Sequence, residues 1–249
     1  MKIALTVSGQ PRRARNGFYE LKKWFLDRYD IDVYLHSWVD KQFYKYDFFD
    51  EGKVQKVHEV EDNLYHNLVN WYQPKDYLFE KAITFDATNL KGSHNQRLNS
   101  QMGMWMSLKR AWDLLEKSEI KYDLVIRTRY DLLFTHNVAN NCIFLEDITK
   151  VDPNYVHHFK YPARWNMAPQ INDQFAVGGY DVMKTYHNLF PKMIHYIFAT
   201  PEYRIIYEDM FVNEPLIYHH LITNNIPLNE VEHGFEGWRG IDAGAQIMR

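Results

Sequence analysis

Apolar runs of strand length alternate with segments of helical period along most of the chain. The first run, residues 2–8, places Ile3, Leu5 and Val7 at alternate positions and predicts a strand. It breaks into Ser8-Gly-Gln-Pro-Arg-Arg-Ala-Arg15, where Gly9 permits unusual backbone angles and Pro11 blocks further pairing. A helix is expected over residues 17–29. A second strand follows over residues 32–38, with Val33 and Leu35 inward and His36 and Trp38 at its exit. Residues 40–52, with Tyr44, Tyr46, Phe48 and Phe49 among charges, read as an aromatic-rich loop. A third strand is expected over 53–59, a short helix over 63–72 and a further strand over 77–85.

Residues 89–96 form a polar stretch, and the clearest helical period follows over 97–117. There Met102, Trp105, Leu108, Trp112 and Leu115 recur every three to four residues, the spacing of a buried stripe, with Lys109 and Arg110 off it. This helix leads into Tyr122-Asp-Leu-Val-Ile-Arg-Thr-Arg-Tyr-Asp-Leu-Leu-Phe134. Leu124, Val125 and Ile126 form a continuous apolar run, the mark of a strand buried on both faces. If the backbone stays extended past it, Arg127, Arg129 and Asp131 project the same way. Two cations and a carboxylate then converge at a core strand exit, where open α/β sheets bind ligands. The competing reading is a surface salt bridge beside a strand end.

The second half carries weaker periodicity. Residues 137–152 read as loop with a short strand near Cys142, and 155–161 as a strand. Residues 162–171 form an irregular segment bearing Arg164 and Trp165. In Asn172-Asp-Gln-Phe-Ala-Val-Gly-Gly179, Phe175, Ala176 and Val177 make a small core strand preceded by Asp173. Helices are expected over 180–199 and 209–224, the latter starting nearer Glu214 because Pro215 fits only a first turn. A last strand over 228–231 and a glycine-rich tail over 234–249 complete the chain. The strand–helix–strand rhythm predicts an α/β fold with a mainly parallel sheet in one domain over residues 1–249.

Composition narrows the function classes. The chain has 249 residues, 46% hydrophobic and 24% charged, with 16% aromatic. Tyr and Trp faces suit stacking on sugars or bases, though a rich aromatic core accounts for most of them. A net charge of −3 gives no bulk attraction to nucleic acid. The single cysteine, Cys142, excludes an internal disulfide framework and a cysteine zinc cluster. No apolar run reaches the roughly 18–20 residues of a membrane span, and the chain starts directly in a strand, so a cytoplasmic location is expected. Arg12, Arg13 and Arg15 beside Gly9 and a helix start form either an anion cradle or a solvated basic loop. The loop lacks the phosphate-binding and dinucleotide glycine patterns.

In order and spacing, these motifs resemble nucleotide-sugar glycosyltransferases of the A-type fold, in particular small transferases of bacterial surface polysaccharide clusters and of large DNA viruses. The resemblance rests on Ala4-Leu-Thr-Val-Ser-Gly-Gln-Pro-Arg12, Tyr34-Leu-His-Ser-Trp38 and the helix from Ser100 to Leu115 leading into Val125–Leu133. It continues with Asn172-Asp-Gln-Phe-Ala-Val-Gly178 and Asn213-Glu-Pro-Leu-Ile-Tyr-His-His-Leu221. It implies a Rossmann-like A-type domain, with a nucleotide-binding half over about 1–135 and an acceptor-binding half over about 136–249. It further implies a UDP-, GDP- or dTDP-type sugar donor, a glycan acceptor and sugar transfer of the hexosyl or deoxyhexosyl class, by inversion.

Ser8, Gly9, Gln10, Arg12, Arg13, His36, Arg127 and Arg129 are then the nucleotide and diphosphate residues. Asp131 takes the place of the metal-linked carboxylate of a D-x-D motif, serving Mn²⁺ or Mg²⁺, with His219, His220 or His233 as a further ligand, each of which has the simpler reading of an ordinary core or surface histidine. The chain departs from the pattern at Arg129, where the first acidic residue belongs. One carboxylate makes a poorer site for a hard cation, and arginines can stabilise a diphosphate directly. For the general base of inversion, Asp173 ranks first, Glu214 second and Asp209 third. Glu214 also has a simpler reading, stabilising a helix N-terminus. Trp165 and Trp238 are candidate sugar platforms. The alternative function is a catalytically silent relative that only binds nucleotide or glycan; a sugar-nucleotide synthetase is disfavoured by the lack of its glycine- and lysine-rich signature.

Overall fold

The computed structural model describes residues 1–40, 42–46, 54–85, 95–134, 142–159, 171–199, 213–231 and 245–247. The core is a seven-stranded sheet. Its strands are β1 (Ile3–Gly9), β2 (Ile31–Trp38), β5 (Asp76–Glu80), β6 (Leu124–Thr128), β8 (Val156–Phe159), β9 (Ala176–Gly178) and β10 (Leu228–Val231), in the order β10-β8-β9-β6-β1-β2-β5. Pairs β6–β1, β1–β2, β2–β5 and β10–β8 are parallel, while β9 runs antiparallel to both neighbours. The fold is α/β with a mostly parallel sheet, and both sequence halves supply strands to it.

Both sheet faces are covered. Leu5, Val7, Leu35 and Ile126 face α1 (Ala14–Leu21) and α2 (Leu64–Tyr72). Ala4, Tyr34, Val125 and Ala176 face α3 (Asn95–Lys117), α4 (Tyr180–His187), α5 (Phe190–Ala199) and α6 (Asn213–Thr223). The stripe read from the sequence is the buried side of α3: Trp105, Leu108, Trp112 and Leu115 are fully buried, and Met102 nearly so. Each such side chain contributes about 2 kcal/mol on burial.

Several elements differ from the sequence reading. The first helix starts at Ala14 and changes at Lys22–Leu26 into a π-helical turn, in which Asp27 N–H bonds Lys22 O at 2.9 Å. The expected loop over 40–52 contains β3 (Gln42–Tyr46), which pairs with β4 (Val54–Glu59) as a hairpin apart from the main sheet. Near Cys142 the chain forms a helical turn, Ile143–Glu146, and a 3₁₀ turn, Ile148–Lys150, instead of a strand. The helix expected over 180–199 is two helices, broken between His187 and Phe190. Pro191 explains the break, since it lacks an N–H and its ring clashes with the carbonyl four residues earlier. The tail holds β11 (Ala245–Ile247), antiparallel to β7 (Leu132–Phe134). Among the described residues, no helix is long and apolar enough to cross a membrane.

Candidate active site

The site lies at the carboxyl ends of β1, β2 and β6. Because β9 runs against β6, the residues just before it arrive at the same edge. Arg127 pairs in register with Ala176, and its Nη1 donates to the carbonyl oxygen of Asp173. The reversed strand is thus what brings Asp173, from the second half of the chain, to the end of the central strand.

Arg127 is fully buried. Burial pushes its pKa below the usual arginine value, partly offset by Tyr186 and Asp173 nearby. Among the described residues, its Nε and Nη2 have no hydrogen-bond partner, and neither does the buried Tyr186 hydroxyl. Thr6, beside Arg127 in register, meets His187 Nε2 at 3.0 Å. His187 donates its other ring N–H to Met183 O at 2.7 Å, and burial lowers its pKa to about 3, so the ring is neutral.

Beyond β6 the chain turns at Tyr130 and Asp131, and Arg129 closes on Asp131 as a two-pronged pair. Nε donates to Oδ1 at 2.9 Å and Nη2 to Oδ2 at 3.1 Å. Arg12 Nη2 lies 3.5 Å from the same Oδ2. Burial opposes charge on Arg129, but Asp131 outweighs it and raises the Arg129 pKa. Between the two residues Tyr130 turns inward, and its hydroxyl donates to His36 O at 3.2 Å. The Tyr130 backbone presses on α1 at Gly17, where an added Cβ would sit 1.8 Å from Tyr130 O. Only glycine permits that approach.

The β1 exit is pinned from α3. Gly9 adopts φ +113°, and its N–H donates to Ser107 Oγ at 2.8 Å. Ser107 meets His36 Nδ1 at 2.6 Å, and His36 Nε2 meets Glu80 at 3.1 Å. With a carboxylate on Nε2, that nitrogen carries the proton, and Nδ1 accepts from the serine hydroxyl. Burial lowers the His36 pKa to about 4, against the pull of Glu80. Arg110 closes the chain at 3.2 Å from Glu80. Within the β1 loop, Arg12 N–H bonds Gln10 O at 2.9 Å, and Gln10 also reaches the Asp40 carboxyl. Arg13 takes the left-handed region at φ 47° and stands exposed at the start of α1.

The structure therefore brings Gly9, Gln10, Arg12, Arg127, Arg129, Asp131 and Asp173 to one sheet edge. Ser8 and His36 lie beneath it, buried and paired across β1 and β2. His36 acts on the loop through Ser107. Glu214 opens α6, and its carbonyl accepts from Ile171 N–H at 3.4 Å, two residues before Asp173. Asp209, His233, Trp165 and Trp238 lie outside the described residues. Sequence reasoning missed Ser107, Glu80 and Tyr186. The only trace of Ser107 is a small hydroxyl beside Leu108 of an otherwise bulky buried stripe.

A hard divalent cation does not fit this donor set. Both Asp131 oxygens receive guanidinium N–H groups, and the carboxylate is 1% exposed. His220 is buried; its Nε2 donates to Thr185 O at 2.8 Å, and its Nδ1 meets the Tyr196 hydroxyl at 2.9 Å. That leaves no lone pair for a metal, so His220 is a packing residue of α6. Among the described residues, no three His, Cys, Asp or Glu side chains are grouped to hold an ion.

Fold and site define an α/β protein with a guanidinium-rich sheet edge. No family model and no curated protein matches the chain. Among solved structures, the apo form of the glycosyltransferase GlyE of Streptococcus pneumoniae TIGR4 is 11% identical over 92% of this chain, with TM-score 0.44. The chain spans 45% of GlyE's length. A glycosyltransferase involved in glycosylation of the major capsid of PBCV-1 is 13% identical, over 94% of this chain and 82% of its own, with TM-score 0.40. Mouse xyloside xylosyltransferase 1, also in its apo form, is 8% identical, over 92% of this chain and 84% of its own, with TM-score 0.46.

Proposed function

We propose that the chain is a glycosyltransferase that moves a hexosyl or deoxyhexosyl group from a nucleoside-diphosphate sugar to a glycan hydroxyl. The observation that carries this reading is the placement of Arg12 and Arg129 on Asp131 at the carboxyl end of β1 and β6, beside Asp173. Guanidinium groups at a sheet edge suit a diphosphate, whose oxygens accept paired N–H bonds. A carboxylate close by suits proton removal from an acceptor hydroxyl.

In this reading the acceptor hydroxyl gives its proton to the Asp173 carboxylate, and its oxygen bonds to the anomeric carbon. The bond from that carbon to the diphosphate oxygen breaks, and its electron pair leaves with the nucleoside diphosphate. The arginines meet the charge that develops there. A single displacement inverts the anomeric centre.

The test incubates the protein with UDP-, GDP- and dTDP-sugars and a panel of glycan acceptors, and measures donor consumption and product. One donor class is expected to be consumed, with loss in Asp173→Ala and Asp131→Ala. Binding of a donor without turnover across acceptors would instead identify a silent relative that only binds nucleotide. Turnover untouched by both substitutions would defeat the residue assignment.

A further inference from the structure

We propose that the cation meeting the leaving diphosphate is the guanidinium pair Arg12 and Arg129, and that Asp131 is their buried anchor rather than a metal ligand. This rests on the diphosphate reading above and specifies how that site works.

The order of burial carries the inference. The Asp131 carboxylate is 1% exposed, whereas the side chains of Arg129 and Arg12 are 17% and 32% exposed. The anion is sealed behind the cations, so an incoming ligand meets guanidinium first. A metal site needs the opposite arrangement, with carboxylate oxygens facing the ligand. Arg129 spends Nε and one Nη2 proton on Asp131, which leaves the far side of its planar fork for phosphate oxygens.

Charge points the same way. Arg12 and Arg129 both sit on the buried Asp131 carboxylate, and Arg127 and Asp173 stand close enough to be felt there, so a ligand that reaches Asp131 meets guanidinium groups on the way. Those guanidinium groups repel a divalent cation placed beside them and attract a diphosphate. The tyrosine between the two residues completes the device. Tyr130 is fixed inward by His36 O and by the Gly17 contact, which anchors the backbone between Arg129 and Asp131.

The test is calorimetric titration of UDP, GDP and dTDP into the full chain, in EDTA and again in Mn²⁺. One nucleoside diphosphate is expected to bind with the same affinity, within about threefold, in both buffers. Arg129→Gln is expected to weaken it about tenfold or more in both, as expected for loss of a charge-assisted fork. Arg12→Gln, at the more exposed position, gives the same readout should Arg129→Gln fail to fold by circular dichroism. Binding that appears only with Mn²⁺, or that survives the arginine substitution, overturns the proposal while the donor reading stands. If none of the three nucleotides binds in either buffer, the donor reading itself falls.

Discussion

The backbone N–H of Gly9 donates to the hydroxyl of Ser107, at 2.8 Å, across the gap between the first strand and the long central helix. The contact joins a loop that must hold an unusual φ to an element that packs on both β1 and β2. Ser107 passes the connection to His36 and thence to Glu80 on the sheet edge.

Replacing Ser107 with alanine removes the acceptor of Gly9 and the donor to His36 together. His36 is buried and Gly9 partly so, and the expected loss of stability is about 1–3 kcal/mol, measured by urea unfolding. Nucleotide affinity should fall as well, because the β1 loop loses its anchor. Unchanged values of both would show that the loop is held elsewhere.

Gly17→Ala is a more severe change. Its Cβ would meet Tyr130 O at 1.8 Å, and neither partner is a flexible side-chain end. Helix α1 must move off the Tyr130 turn, at an expected cost of about 2 kcal/mol or more. The Arg129–Asp131 pair should then lose its alignment, so nucleotide binding is expected to weaken even in the folded fraction.

Acid should unfold the protein early. His36, His158 and His187 are buried neutral, with pKa values lowered from 6.5 to about 4, about 4 and about 3 by burial. Their folded values lie below the unfolded one, so their contribution is complete above pH 6.5 and is lost as the pH falls through that window. For His36 alone the span corresponds to about 3 kcal/mol. The urea midpoint is therefore expected to drop steadily from pH 7 to pH 4. A flat midpoint over that range would contradict the burial described for these rings.

Asp173→Asn keeps the backbone carbonyl that Arg127 holds and removes only the base. Turnover is expected to fall by about 10²- to 10⁴-fold while nucleotide affinity stays within about twofold. Arg127→Met should lower turnover too, by freeing the Asp173 backbone, but with a loss of stability that Asp173→Asn does not share. Equal stability losses in the two variants would mean that Asp173 is a structural residue.

Much of the fold is legible in the residues because its strands are short apolar runs and α3 carries a regular stripe. The pairing of Arg129 with Asp131 follows from their spacing, although the backbone turns between them instead of running on. Other features depend on contacts distant in sequence. No local pattern marks β9 as reversed, yet that reversal delivers Asp173. The hairpin of β3 and β4 is hidden among charges that read as loop. His220 reads in isolation as either a ligand or an ordinary core histidine, and its packing against Tyr196 and Thr185 shows both nitrogens in use. Pro191 breaks one long helical pattern, because its missing N–H and its ring outweigh the apolar periodicity on either side.

The small ribbon of β7 and β11 has its own bearing on the site. Ile247 pairs with Leu132, the residue directly after Asp131. The edge that carries the guanidinium pair is therefore stitched to the far carboxyl region of the chain by main-chain bonds. Deuterium uptake at residues 245–247 thus becomes a remote gauge of what happens beside Arg129.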